Sequence, residues 1–275
     1  MTWPSGCVAM VTGAARGVGR AVAVAFAEAG ADLVLLDVCA DLPGCPYPMS
    51  RPDQLAGTAR RCGELGARVV TIEADVRDLL RVEEGVAGAL AEFGRIDVLV
   101  NNAGIVGPAG VLAHEMAEAD WNLLLDVNVT GAWQCARSVL PAMVERRSGS
   151  VVNIASTAGH IAFRSFSGYV TAKHALIGLT KALAVDYAPY GIRVNAVSPT
   201  SVYEDPGEGP GMLAGVATMM GTGVASYEEV SHALHPLNTL AYAEDVAAAT
   251  LWLASPAAAR CTGTILPVDA GFTIR

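Results

Sequence analysis

Short apolar runs rich in β-branched residues alternate with longer stretches of helical periodicity from one end of this chain to the other. The strand candidates are Cys7–Thr12, Asp32–Asp37, Arg68–Glu73, Ile96–Asn101, Ser150–Ala155, Ile192–Val197 and Gly263–Val268. Most are near-continuous apolar runs, the pattern of a parallel sheet covered on both faces. Between them helical periodicity covers Gly17–Ala29, Pro52–Leu65, Leu79–Phe93, Asp120–Glu145, Ser167–Ala188 and Ala243–Leu253. Regular β-α alternation predicts an α/β fold with a doubly wound sheet. No shift of composition and no internal repeat marks a second domain, so residues 1–275 are read as one. Two segments break the rhythm: a proline-bearing insertion at 38–51, and a stretch at 198–240 rich in Gly, Met and Pro.

The chain is 52% hydrophobic and 16% charged, which allows an ample core and favours covering apolar surface by self-association. A net charge of −9 argues against nucleic acid and anionic membranes as partners. Charges or glycines interrupt every apolar run before it reaches the length that crosses a bilayer. The opening "MTWPSGCVAMV" lacks the basic region and cleavage site of a secretory signal, so a cytoplasmic protein is expected. Its six cysteines are then expected to be thiols. Cys39 and Cys45 are six apart with no histidine near them, and no metal site is expected. Leu55, Ala59 and Cys62 share one helical face, which predicts Cys62 in the core.

"VTGAARGVGR" joins the first strand to the first helix, with Gly13, Gly17 and Gly19 in a G-x-x-x-G-x-G spacing. Glycine lets a backbone turn tightly and approach a pyrophosphate, while a helix N-terminus supplies N–H groups and a favourable dipole. The second strand ends in Asp37, 18 residues beyond Gly19, near the spacing of a ribose-binding carboxylate. Such an acid accepts ribose hydroxyls and repels a 2′-phosphate, so it predicts NAD. Arg16 pulls the other way, because a cation in this loop can attract a phosphate. A buried charge clash costs more than an exposed cation gains, and Asp37 decides.

"SGYVTAKHALIGLTKAL" places Tyr169 and Lys173 at i and i+4 on one helix face. A phenol titrates near 10, and a neighbouring ammonium is expected to lower that value toward the range useful for proton transfer. Ser156 ends the strand "SVVNIAS" and can hydrogen-bond a substrate oxygen.

Together, Thr12-Gly13-x-x-x-Gly17-x-Gly19, Asn101-Asn102-Ala103-Gly104, Asn128, Ser156 and Tyr169-x-x-x-Lys173 resemble the short-chain dehydrogenase/reductases, from Gly6 to the "PVDAG" at 267–271. The resemblance implies a single Rossmann-type domain with a seven-stranded parallel sheet flanked by helices. It implies that Tyr169 exchanges a proton with an alcohol or carbonyl oxygen. Lys173 would bind the nicotinamide ribose and tune Tyr169, Ser156 would orient substrate, and Asn128 would hold a water in a relay behind Lys173. NAD would lie against Gly13, Arg16, Gly17, Val18, Gly19, Asp37, Asp75, Val76, Asn102, Ala103, Gly104, Tyr169, Lys173, Pro199, Thr200 and Val202. Asp75 and Val76 would flank the adenine and Asn101 would support the ribose. Subunit contacts in a homotetramer are implied as well.

The chain departs from the family pattern after the sixth strand, where "SPTSVYED" puts Thr200 at a usual glycine and Glu204 near a usual threonine. His160 is expected at the wall of the substrate pocket, and His174 in packing or capping. From Tyr203 to His235, Gly hinges and adaptable Met side chains suit a lid, with Met212, Met219 and Met220 as substrate contacts. The 38–51 insertion starts beside Asp37 and is stiffened by Pro43, Pro46 and Pro48, which predicts a cover over the adenosine half of the cofactor. With "PTSV" at 199–202 and "LPVDAG" at 266–271 it resembles the carveol-dehydrogenase-like branch, associated with the redox peptide mycofactocin. That branch implies NAD held in place and recycled by an external redox carrier. The function expected is an NAD-dependent oxidoreductase interconverting a small to medium, mostly apolar, terpenoid-like secondary alcohol and its ketone. The alternatives are an NADPH-dependent ketoreductase of a biosynthetic pathway and a non-catalytic dinucleotide-binding regulatory protein.

Overall fold

A computed structural model describes residues 6–203, 205, 207 and 209–274. Its strands are β1 (Val8–Thr12), β2 (Asp32–Asp37), β3 (Val69–Glu73), β4 (Val98–Asn101), β5 (Gly149–Ile154), β6 (Ile192–Pro199) and β7 (Ile265–Val268). All pair in parallel as one sheet in the order β3-β2-β1-β4-β5-β6-β7. Side chains alternate across it as the period of two requires. Met10, Val34 and Leu36 enter the apolar core on one face, while Ala9, Val11, Leu33 and Leu35 enter the core on the other. Chain direction reverses its walk across the sheet between β1 and β4, and there a crevice opens at the strand ends.

The helices are α1 (Gly17–Glu28), α2 (Pro52–Glu64), α3 (Leu79–Phe93), α4 (Glu118–Leu125), α5 (Gly131–Arg146), α6 (Ser167–Tyr187), α7 (Met212–Met219), α8 (Val224–Ala233) and α9 (Ala243–Ala254). Local chemistry sets several of their ends. Asp78 accepts the Arg81 N–H at the start of α3, and Gly94 stops it in a left-handed conformation at φ 75°. Pro52 opens α2, and the Gln54 side chain accepts the Arg51 N–H at 3.0 Å. Leu55 and Cys62 are buried on the sheet-facing side of α2, as its spacing predicts.

Two expectations change. The helix predicted over Asp120–Glu145 is α4, a π-helical turn at Asp126–Thr130, and α5. The extra residue in that turn is accommodated where Asn128 bonds the Leu124 carbonyl instead of facing outward. The Gly- and Met-rich stretch is not one irregular lid, because it contains α7 and α8.

A buried polar chain ties the sheet to α6. Asn101 Nδ2 donates to Asn153 Oδ1 at 2.9 Å, Asn153 Nδ2 donates to Thr180 Oγ1 at 2.8 Å, and the Thr180 hydroxyl donates to the Leu176 carbonyl. Both Asn153 and Thr180 are fully buried, so each lost partner leaves an unsatisfied group. Thr180→Val is expected to cost about 1–3 kcal/mol in urea unfolding, with Thr180→Ser recovering most of it. Equal stability of all three proteins would show that the chain carries no stability.

Candidate active site

Thr12, at the end of β1, organises the crevice. Its hydroxyl accepts the Asn102 and Ala103 N–H groups, each at 3.0 Å, so β1 and β4 are joined where they diverge. The Asn102 amide then donates to the Thr12 and Gly13 carbonyls at 2.9 and 3.1 Å and fixes the glycine loop. Gly13 and Gly17 take φ values of +65° and +55°. At Gly19 an added Cβ would lie 1.9 Å from the Gly13 carbonyl oxygen, so no side chain fits.

Asp37 is buried at the mouth of β2. Its Oδ2 accepts the Ala15 N–H at 2.9 Å, and its Oδ1 accepts the Cys39 N–H and a short bond from Ser50 Oγ. The insertion therefore ends by closing back on the acid at which it begins. Arg16 does not stand free to meet a phosphate. Its guanidinium donates to the Pro48 carbonyl at 2.6 Å and to the Pro210 carbonyl at 3.1 Å, which satisfies it between the insertion and the lid. Asp75 is ion-paired with Arg77 at 2.6 Å, and Val76 is buried against Gly131.

Tyr169 and Lys173 project from one face of α6, with Lys173 Nζ 5.7 Å from the centre of the Tyr169 ring. Nζ donates to the Ile154 carbonyl, at the end of β5, at 3.1 Å. Ser156 follows β5 and caps a short turn, its Oγ accepting the Ala158 N–H at 3.1 Å. Asn128 is buried, donating to the Ile105 and Leu124 carbonyls and accepting the Ile105 N–H. Gly104 lies between the two polar groups: a Cβ there would sit 2.8 Å from Asn128 Oδ1 and 3.4 Å from Lys173 Nζ.

The protonation order differs from the sequence expectation. Burial pushes the Tyr169 phenol up to about 12, although a hydrogen bond with Ser156 draws it back. Burial pushes the Lys173 ammonium down to about 8. Desolvation thus dominates at both groups, and the phenol is raised rather than lowered.

A cavity of about 720 Å³ links these parts. The residues expected to hold NAD line it from the glycine loop and Asp37 to Tyr169, Lys173, Pro199, Thr200 and Val202, and Ser156 lines it too. Asn128 lies behind that wall, as does Asn101, which joins β4 to β5 and α5 rather than facing a ribose. The cavity fits a dinucleotide: a glycine turn at a helix start, a buried acid at the second strand, and the loop's own cation, Arg16, held by carbonyls.

Beyond Tyr169 the lid forms part of the cavity wall. Three side-chain pairs fasten α8 and the turn after it to the segment after β6: Thr200 to His235 at 2.7 Å, Ser201 to Tyr227 at 3.1 Å, and Tyr203 to His232 at 2.5 Å. Met212 and Met220 line the cavity, but Met219 packs against Gly107 and Gly110 instead. His160 is not on the wall, because its Nε2 bonds Ser198 Oγ at 2.9 Å. His174 Nδ1 bonds the Val170 carbonyl, a local role on its own helix. Glu204 lies outside the described residues. The wall also holds Phe163, Phe166, Tyr227 and His235, which the sequence reading passed over. The spacing of Tyr227 and Val230 on α8, and of Leu234 just after it, carried a helical signal for part of this wall.

Comparison with known proteins gives a consistent picture. A family model described as enoyl-(acyl carrier protein) reductase matches residues 13–273. The chain is 36% identical to (-)-trans-carveol dehydrogenase of Rhodococcus erythropolis, covering 98% of each chain. It is 36% identical to an NAD-dependent oxidoreductase of Mycobacterium tuberculosis, covering 97% of this chain and 95% of that one. Carveol dehydrogenase from Mycobacterium avium, solved in complex with NAD, superposes with a TM-score of 0.94 at 34% identity and full coverage of both chains.

The depressed Lys173 value has a stability consequence. The folded chain binds that proton less tightly than the unfolded chain, so the penalty is full below about pH 8 and vanishes above the ordinary value of 10.5. Lys173→Met is expected to resist urea better than the parent at pH 7, by about 1–3 kcal/mol, and to lose that margin by pH 10.5. A margin unchanged between the two pH values would mean that burial of the charge is not its source.

Proposed function

The chain belongs to the short-chain dehydrogenase/reductase family, and we propose that it is an NAD-dependent oxidoreductase interconverting a secondary alcohol and a ketone, with Tyr169 as its acid/base. The observation that carries this reading is the buried Tyr169–Lys173 pair beside Ser156, on the wall of a cavity that continues to the glycine loop and Asp37. Bound NAD supplies the hydride acceptor, and its reduced form the hydride donor. Residues of this chain handle the proton. In ketone reduction the Tyr169 phenol donates its proton to the carbonyl oxygen while the Ser156 hydroxyl holds that oxygen by a hydrogen bond. In alcohol oxidation the same oxygen returns the proton to a phenolate, which Lys173 stabilises as an ammonium. Lys173 and Asn128 flank Gly104, and a water between them would carry the proton onward.

Asp37 favours NAD, and the commitment of Arg16 to two carbonyls supports that preference over NADPH. The apolar lid and the kinship to a carveol dehydrogenase support a cyclic, terpenoid-like alcohol as substrate. The insertion, sealed on Asp37 by Ser50, supports NAD retained through turnover and reoxidised by an external carrier such as mycofactocin. Val185 and Ile274, 75% and 84% exposed, support a homo-oligomer, which we read as a tetramer. The six free thiols support a cytoplasmic setting.

Tyr169→Phe is expected to keep the fold and NAD binding while turnover falls by about 10²–10⁴-fold, read as absorbance of reduced nicotinamide after addition of cyclic secondary alcohols. Retained turnover would end the assignment of Tyr169. Mass spectrometry of nucleotide released on denaturing the purified protein tests retention, with NAD expected and an empty protein opposing it.

A further inference from the structure

The 38–51 insertion reaches further than a cover for adenosine. Pro46 packs on Gly107, where an added Cβ would lie 2.7 Å from its ring. The Tyr47 hydroxyl accepts the buried Val106 N–H at 3.1 Å. Tyr47 is 8% exposed and lines the cavity on the same wall as Val106. Above its ring lies Gly215, in the middle of α7, where a methyl group would sit 2.3 Å from Tyr47 Cδ1. A glycine inside a short helix costs about 1 kcal/mol against alanine. Helix formation gives no reason for it, and the close approach of the Tyr47 ring does. Next along the insertion, the Pro48 carbonyl accepts from Arg16, which also holds Pro210 just before α7.

We propose that Tyr47 is a specificity-determining wall of the substrate site, and that its fit beneath Gly215 couples the substrate lid to retention of the nucleotide. This rests on the reading of Tyr169 as the reacting group. Tyr169 lies near enough to add to the rise that burial imposes on the Tyr47 phenol. Lifting α7 to admit substrate uncovers Tyr47, and Tyr47 belongs to the segment whose far end, Ser50, closes on Asp37. The two ends of the cavity therefore share one closure. A larger alcohol must displace the Tyr47 ring, and a displaced ring loosens the nucleotide.

The test compares the full-length parent with Tyr47→Ala, Tyr47→Phe and Gly215→Ala, each loaded with NAD and checked for folding by circular dichroism. Nucleotide loss during rapid gel filtration needs no turnover, and it separates this proposal from the assigned reaction. Gly215→Ala alters only the lid, yet it is expected to release NAD at least about tenfold faster than the parent. Tyr47→Ala is expected to do the same and to raise kcat/KM for bulky cyclic alcohols relative to cyclohexanol by about tenfold. Met220→Ala, at the exposed residue just past α7, is expected to change KM with NAD release at the parent rate. Should Gly215→Ala fail to fold, Tyr47→Phe carries the retention test, since it keeps the ring, loses the hydroxyl that bonds Val106, and is expected to release NAD faster. Parent-like release in the folded variants would overturn the coupling, and an unchanged ranking of alcohols in Tyr47→Ala would overturn the specificity role. A parent without alcohol or ketone turnover would overturn the assigned reaction, while the release rates would still decide the coupling.

Discussion

One hydroxyl holds the crevice in shape. Parallel strands diverge wherever the walk across the sheet reverses, and their last peptide groups lose strand partners there. Thr12 Oγ1 replaces two of those partnerships by accepting from Asn102 and Ala103. The Asn102 amide then pins the carbonyls of Thr12 and Gly13. Everything downstream inherits that fixed point: the turn at Gly13, the approach of Gly19 to the Gly13 carbonyl, and the start of α1. A loop built from glycines would otherwise be free to take many shapes, since each lacks the steric restraint of a Cβ.

At the other end of the cavity, desolvation sets the chemistry. Tyr169 and Lys173 have ordinary values half a unit apart, and burial drives them to about 12 and about 8. Both groups are pushed toward neutrality, and the site favours a protonated phenol that can donate. Lys173 keeps its position because the Ile154 carbonyl takes one of its donors. Strand β5 thereby serves twice, ending in that carbonyl and continuing into Ser156.

The sequence was most legible where local chemistry decides. The α3 boundaries, the start of α2 and the core face at Leu55 and Cys62 follow from a cap, a proline and a spacing. The Tyr169–Lys173 pair and the glycine loop were equally visible, because their neighbours are close in the chain. Contacts between distant segments were not. Nothing within Arg16 shows that Pro48 and Pro210, 32 and 194 residues away, will claim its guanidinium. His160 follows Ser156 closely in sequence, yet the turn at Thr157–Gly159 aims it at Ser198. In the lid, small and flexible residues concealed α7, whose Gly215 lies close against the ring of Tyr47, a segment distant in sequence.

The π-helical turn at Asp126–Thr130 also acts on the helix that carries it. One additional residue in a turn rotates all that follows by about 100°. The segments before and after it are thus out of phase, and α4 and α5 present differently indexed faces to α6 and to α3. A stripe of apolar residues traced from Glu118 cannot be extended to Arg146 in one register. The irregularity sits at Asn128, whose side chain closes on Leu124 and on both backbone groups of Ile105. This stretch therefore keeps two rotational settings in one continuous helix.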